Sequence, residues 1–128
     1  ALGNLKLVTL DGPLGAGKTT LVRGLLHALG HHGTVKSPTF TLVEPYEINS
    51  RRFYHFDLYR LNDPQELEFL GVRDYLAGLD LCVVEWAERA GRFLPAPDVA
   101  VMIAPANGGR DVTVTAHTPQ GKTWLGGF

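Results

Sequence analysis

The apolar residues of this chain fall into short runs separated by polar, glycine-rich stretches, and the spacing inside each run predicts its element. Lys6-Leu7-Val8-Thr9-Leu10 reads as a short strand. After a glycine-rich turn, Leu21, Val22, Leu25, Leu26 and Leu29 recur at helical spacing, which predicts a helix from Lys18 to Leu29 with one apolar face and Gly30 as its stop. Beyond the polar turn His31-His32-Gly33-Thr34 the pattern becomes extended, and Phe40 to Tyr46 and Arg52 to Tyr59 are predicted as a hairpin joined through Ile48-Asn49-Ser50. Asp63-Pro64-Gln65-Glu66 opens a helix running to Leu70, with its proline early, where a missing N–H costs little. A second short helix covers Val72 to Ala77. Asp80 to Trp86 is almost continuously apolar, as expected of a strand covered on both faces in a parallel sheet. Ala87 to Phe93 reads as a helical turn, and Val99 to Ala104 and Val112 to Ala116 as strands joined by Asn107-Gly108-Gly109. This order predicts an α/β domain whose mixed sheet is parallel around its first strand and the strand ending at Glu85.

With 128 residues and 45% apolar composition, the chain is expected to form a single globular domain, residues 1–128. Its net charge of −1 excludes the simplest nucleic-acid binder, which relies on overall basicity. The average conceals a pattern. Residues 1–43 carry four basic side chains against one acidic, residues 44–88 four against ten, and residues 89–128 four against two. The lone cysteine, Cys82, cannot form an intrachain disulfide and sits in an apolar run where a small buried side chain is expected. No apolar stretch approaches the roughly 18–20 residues of a membrane span, and Ala1-Leu2-Gly3-Asn4 does not open a signal peptide, so a cytoplasmic location is expected.

The most specific signal is Gly12-Pro13-Leu14-Gly15-Ala16-Gly17-Lys18-Thr19, which matches G-x-x-x-x-G-K-[ST] in full and lies between a predicted strand and a predicted helix. Glycines are needed there because the backbone must curl around a phosphate with its N–H groups turned inward. Gly12, Leu14, Gly15, Ala16, Gly17, Lys18, Thr19 and Thr20 are therefore the expected nucleotide-binding residues, with Lys18 reaching the β- and γ-phosphates and the Thr19 hydroxyl on Mg²⁺. The expected architecture is a P-loop NTPase-like three-layer domain, its sheet flanked by helices.

Such a loop needs a carboxylate opposite it. Glu85, after four apolar residues, has the pattern of a buried strand delivering an acid to the ligand-binding edge of a sheet, as metal ligand or water-positioning group. Asp57, closing the less apolar Phe53-Tyr54-His55-Phe56, is the second acid, the alternative being a surface strand-end carboxylate. Ser37 and Thr39, on either side of Pro38, offer hydroxyls to a γ-phosphate or metal, or else form a polar turn at a strand start. His31-His32 reads as a solvated pair in a turn, Tyr54, Tyr59 and Phe69 as core or hairpin aromatics, and Arg60 as half of an ion pair. Trp86 is open to two readings, core packing or a place beside the nucleotide.

Several segments in succession resemble one family: Gly15-Ala16-Gly17-Lys18-Thr19-Thr20, Val35 to Val43, His55-Phe56-Asp57-Leu58-Tyr59-Arg60-Leu61, Glu66-Leu67-Glu68 and Val84-Glu85-Trp86-Ala87-Glu88. From about residue 5 to residue 105 the chain resembles the bacterial TsaE (YjeE) family, the ATPase component of tRNA threonylcarbamoyladenosine (t6A) synthesis. The resemblance implies an ATP- and Mg²⁺-dependent hydrolase that works with TsaB and TsaD, docking on their heterodimer with ATP bound and resetting the complex by hydrolysis. It implies Lys18 and Thr19 as phosphate and Mg²⁺ residues, Ser37 and Thr39 in a switch-like loop, Asp57 as the acid of the HxDxYR segment, and Glu85 with Trp86 as an E-W pair. Glu85, Asp57 and Thr39 are the implied catalytic residues, with Thr19, Glu85 and Asp57 about the metal; which acid binds Mg²⁺ directly is left open. Two departures stand out. Pro13 occupies a position usually acidic in the family and removes one N–H from the loop. Only residues 1–11 precede the loop, where family members usually have an extra helix, so the residues that read the base are left unassigned.

A small-molecule or nucleoside kinase would also use a P-loop, but no lid segment rich in arginine is visible. A non-catalytic nucleotide switch would have less need of two metal-side acids. The near-neutral charge implies that tRNA is gripped by the partners and reaches this chain only indirectly. The acids Asp63, Glu66 and Glu68 remain free to meet a protein.

Overall fold

In the computed structural model, which describes residues 5–13, 17–28, 30–31, 33, 35, 42–48, 51–78 and 80–127, the run Leu81-Cys82-Val83-Val84-Glu85 is buried at every position. Burial on both faces is what its unbroken apolar character demands, and it is met near the middle of a six-stranded sheet. Among the described residues the chain runs β1 (Leu7–Asp11), α1 (Lys18–Ala28), β2 (Val43–Ile48), β3 (Arg51–Asp57), α2 (Gln65–Leu70), α3 (Val72–Ala77), β4 (Leu81–Glu85), a 3₁₀ segment (Ala87–Phe93), β5 (Val99–Ala106), β6 (Gly109–Ala116) and α4 (Pro119–Leu125). The sheet order is β2-β3-β4-β1-β5-β6. The four inner strands are parallel, and each edge strand is antiparallel to its neighbour, closing a hairpin. The predicted α/β class and mixed sheet are thus found. Edge strand β2 carries Pro45 at an exposed position, a residue that sheets tolerate chiefly at their margins.

Period-two alternation sorts the strands into two cores. Leu10, Phe53, Leu81, Val83, Val99, Val101 and Ile103 face α1, whose Val22 and Leu26 are fully buried, with Trp124 of α4 packed against the same cluster. Burying each such side chain contributes about 1.5–3 kcal/mol, which is what holds α1 to the sheet. Leu7, Tyr54, Phe56, Cys82 and Val84 face the other way, onto Leu67 of α2, Val72 of α3 and Ala90 of the 3₁₀ segment. This alternation fixes the site described below: His55, Asp57 and Glu85 occupy positions in phase with Phe53, Leu81 and Val83, and so lie on the α1 face.

Helix α1 ends as anticipated at Gly30, whose φ of +104° lets the His31 N–H return to the Leu26 carbonyl at 2.9 Å. Other expectations are corrected. Leu21, assigned to the apolar face of α1, is 40% exposed. The strand expected to reach Tyr59 stops at Asp57, because the Asp57 side chain accepts the Tyr59 N–H at 3.0 Å and turns the chain. Tyr59 is exposed rather than core, and Phe69 is 84% exposed. His31 is not simply solvated but meets the Tyr46 ring edge-on at 5.0 Å. The segment Phe40 to Thr41 lies outside the described residues, and β2 is described from Val43. Among the described residues no helix is long and apolar enough to cross a membrane.

Helix α4 was not anticipated, since Pro119-Gln120-Gly121-Lys122-Thr123 is poor in helix formers. It is held by Asp98. The Thr118 hydroxyl caps α4 by accepting the Gly121 N–H at 3.1 Å and donates to Asp98 Oδ1 at 2.6 Å. Asp98 Oδ2 accepts the Lys6 and Leu7 N–H groups at 2.7 and 3.1 Å, tying the start of β1 to the same carboxylate. Burial alone would raise the Asp98 pKa, but these three hydrogen bonds and the Lys6 charge outweigh it, so the net shift is downward. A carboxylate held below its unfolded value of about 3.9 contributes stability above that pH and loses it as pH falls through the folded pKa. Asp98→Ala is therefore expected to lower unfolding free energy at pH 7 by about 2 kcal/mol. The gap to wild type should close below about pH 4; denaturant titrations at pH 7 and pH 3 check both.

Candidate functional site

Parallel strands bring their carboxyl ends to one edge of the sheet, and register decides which side chains meet there. Leu10 of β1 and Asp57 of β3 are the two neighbours of Glu85 on β4. Glu85 is 3% and Asp57 8% exposed, so two carboxylates lie side by side in the sheet's interior. Burial and the Glu85 charge push the Asp57 pKa up, and the Tyr59 N–H, His55 and Lys18 offset this only in part. Glu85 has a second partner two residues back on β3, where His55 Nε2 stands 2.5 Å from its Oε2. His55 is fully buried.

Across from these acids β1 ends at Asp11 and the chain turns through Gly12, at φ +155°, and Gly17, at φ +105°, into α1. Lys18, the first residue of the helix, is 5% exposed although its side chain ends in a cation. Its ammonium donates to the Gly12 carbonyl at 2.7 Å and lies 4.1 Å from the centre of the Trp86 ring. Trp86 continues the strand that carries Glu85, and its backbone is left-handed, at φ 58° and ψ 41°. This turn sends the chain away from the sheet and stacks the ring against Tyr59 at 4.9 Å, with the Arg89 guanidinium 5.3 Å from Tyr59. A positive φ in a residue with a Cβ is a strained conformation of the kind that gathers at functional sites.

Of the residues singled out from the sequence, the structure brings together Gly12, Gly17, Lys18, Thr19, Thr20, Asp57, Glu85 and Trp86 at this edge, Thr19 and Thr20 through their places in the first turn of α1. Leu14, Gly15, Ala16, Ser37 and Thr39 lie outside the described residues. Four further residues of this edge, His55, Asp11, Tyr59 and Arg89, are given no place in it by the hydrophobic pattern. His55 opens the HxDxYR segment, but its partner Glu85 is thirty positions away on the next strand, so the pairing is not visible in the sequence. Asp11 has a pKa raised by burial and by Glu88, and lines a cleft with Thr9, Glu88 and His117 on the face opposite α1. Tyr59 and Arg89 extend the Trp86 stack outward. Among the described residues no three His, Cys, Asp or Glu side chains converge on one point. A cation here would draw on Thr19, on one or both acids, and on ligands arriving with it.

The family profile described as "Threonylcarbamoyl adenosine biosynthesis protein TsaE" matches residues 1–112. The chain belongs to the TsaE family. A tRNA threonylcarbamoyladenosine biosynthesis protein TsaE from Haemophilus influenzae is 50% identical over 122 residues, covering 95% of this chain and 77% of that one. Its namesake from Bacillus subtilis is 40% identical, covering 86% and 69%. The crystal structure of Bacillus subtilis YdiB superimposes with a TM-score of 0.77 at 31% identity, covering 95% of this chain and 75% of that one. The TsaE family is involved in t6A biosynthesis, and the fold found here is the P-loop-like fold of that structural neighbour.

Proposed function

We propose that this TsaE protein is a cytoplasmic P-loop ATPase that binds and hydrolyses ATP with Mg²⁺, and that it does so to support t6A37 modification of tRNA together with TsaB and TsaD. The observation that carries this reading is the meeting of Lys18 with the buried pair Asp57 and Glu85 at the end of the strand that leads into the glycine-rich turn. An ammonium opposite two carboxylates suits a ligand that is both anionic and accompanied by a divalent cation. Magnesium commonly takes only one or two protein carboxylates and completes its shell with water and phosphate oxygens, so two acids and one threonine are a sufficient protein contribution.

In this reading the backbone N–H groups of the 12–19 turn other than Pro13 and the amino end of α1 receive the β- and γ-phosphates, and Lys18 leaves the Gly12 carbonyl to neutralise them. Thr19, with Asp57 or Glu85, would hold the Mg²⁺, which would supply neutralisation of charge on the phosphate oxygens. Glu85 orients the attacking water by accepting its hydrogen bond. Ser37 and Thr39, by the family resemblance, supply hydroxyls to the γ-phosphate. The partners grip tRNA, and this chain supplies the nucleotide cycle.

The test is an ATPase assay of the protein alone, of the protein with TsaB–TsaD, and of Glu85→Ala with the same partners. Expected are slow turnover alone, a marked rise with the partners, and a loss of roughly 100-fold or more in the variant, in line with removal of a group that positions the attacking water. Equal hydrolysis in all three samples refutes the reading. Transfer of the γ-phosphate to a small acceptor would instead make the protein a kinase.

A further inference from the structure

His55 is fully buried, and a leucine or phenylalanine would fill its place on β3 without leaving polar atoms to satisfy. Its Nδ1 has no hydrogen-bond partner. A buried polar atom left in that state costs about 1–3 kcal/mol, so the imidazole is a poor choice for packing alone. Its single polar contact is the 2.5 Å one from Nε2 to Glu85 Oε2. A carboxylate oxygen accepts, and the Nε2–H of the imidazole is the donor this contact offers it.

The register explains what that bond accomplishes. Glu85 lies directly beside Asp57 on the neighbouring strand, and two carboxylates at that spacing repel each other. Left to itself, the Glu85 side chain would rotate away from Asp57. His55, two residues back on β3, stands diagonally across from Glu85 on the same face of the sheet and holds one of its oxygens against this repulsion. The other oxygen is left uncommitted to His55.

We infer that His55 is a positioning residue of the ATPase site, its Nε2–H fixing the Glu85 carboxylate through Oε2 so that the remaining oxygen is presented for water activation. This role rests on the ATPase reading above. His55 touches neither nucleotide nor water in it; it acts only through Glu85. The pairing parallels the buried partners that orient catalytic bases and metal ligands elsewhere, whose loss typically costs about 10- to 100-fold in activity.

Two amide variants separate this role from simple packing. His55→Gln carries an N–H donor out to about the place of Nε2 and can still reach Glu85, whereas His55→Asn ends too early. Wild type and both variants are assayed at full length for MgATP hydrolysis with TsaB–TsaD, and their ADP affinity is measured by calorimetry. His55→Gln should keep kcat within about threefold, and His55→Asn should lose about 10- to 100-fold. KM for ATP and Kd for ADP should stay within about twofold in both, as expected when only an interaction of the transition state is lost. Should the Asn chain not fold, His55→Leu fills the space without a donor and is expected to show the same loss. Wild-type rates in the Asn or Leu variant, equal losses in the Gln and Asn variants, or a fall in ADP affinity matching the fall in rate would each overturn the positioning role while leaving the ATPase reading intact. A wild type that hydrolyses no ATP with its partners would overturn both.

Discussion

Replacing Lys18 by alanine is expected to abolish stabilisation of the protein by nucleotide while leaving the unliganded fold nearly as stable as wild type. A ligand held at about 100 times its Kd adds about 2.7 kcal/mol to folding free energy, and the wild type should gain on that order from saturating MgATP. In the variant the gain should vanish, because the ammonium is the single basic group among the described residues that stands between the glycine-rich turn and the two acids. The unliganded chain should hardly notice. Lys18 is 5% exposed, and what it loses in contacts with the Gly12 carbonyl and the Trp86 ring is offset by no longer having to keep a cation out of water. Thermal melts with and without MgATP measure both quantities. A Lys18→Ala protein that MgATP stabilises as strongly as wild type would remove this lysine from the site.

Gly121→Ala should be the most damaging added methyl group among the glycines whose surroundings are described. A Cβ at this first-turn position of α4 would stand 1.9 Å from the Asp98 carbonyl oxygen and 2.7 Å from its carbon. Neither atom can yield cheaply, since the same carbonyl accepts the His117 N–H at 2.9 Å and the Asp98 side chain is tied to Lys6, Leu7 and Thr118. Relief requires α4 to lift from the start of β5, which withdraws Trp124 from the core it shares with α1. Overpacking usually costs about 1–3 kcal/mol, and a backbone collision of this size belongs at or above the upper end. A drop in thermal midpoint on the order of 10 °C is expected. A midpoint within a degree or two of wild type would mean that α4 is not docked as described. Since α4 lies away from the acids, MgATP should still stabilise whatever fraction is folded.

Much of the site was legible because its chemistry is local. A glycine-rich turn between strand and helix, and an acid at the end of an unbroken apolar run, are patterns of a few consecutive residues, and Lys18 and Glu85 fall where those patterns put them. Asp57 was legible from its strand but not its burial, which depends on β4 lying alongside. His55 was legible as the first residue of the HxDxYR segment, but its pairing was not. Its partner is on another strand, and only the parallel register of β3 with β4 makes the two meet. Helix α4 escaped for a related reason: its stability comes from Asp98 and from Trp124 packing rather than from helix propensity. Conversely Phe69, expected as a core or hairpin aromatic, is exposed because α2 buries Leu67 and turns its neighbours outward.

Pro45 bears on how these molecules behave toward one another. A sheet with open margins invites a strand from a second chain, and amyloid-like growth begins at such margins. On the β2 margin the run Val43–Ile48 is interrupted near its centre by a residue with no N–H to offer, with the exposed Glu47 two positions on, whose charge a second copy of the same strand would have to face. The opposite margin, β6, carries Arg110 and Asp111 near its hairpin end. The candidate site is thus housed on a sheet whose two borders discourage stacking of copies, a property that suits the proposed role of meeting other chains and leaving them again.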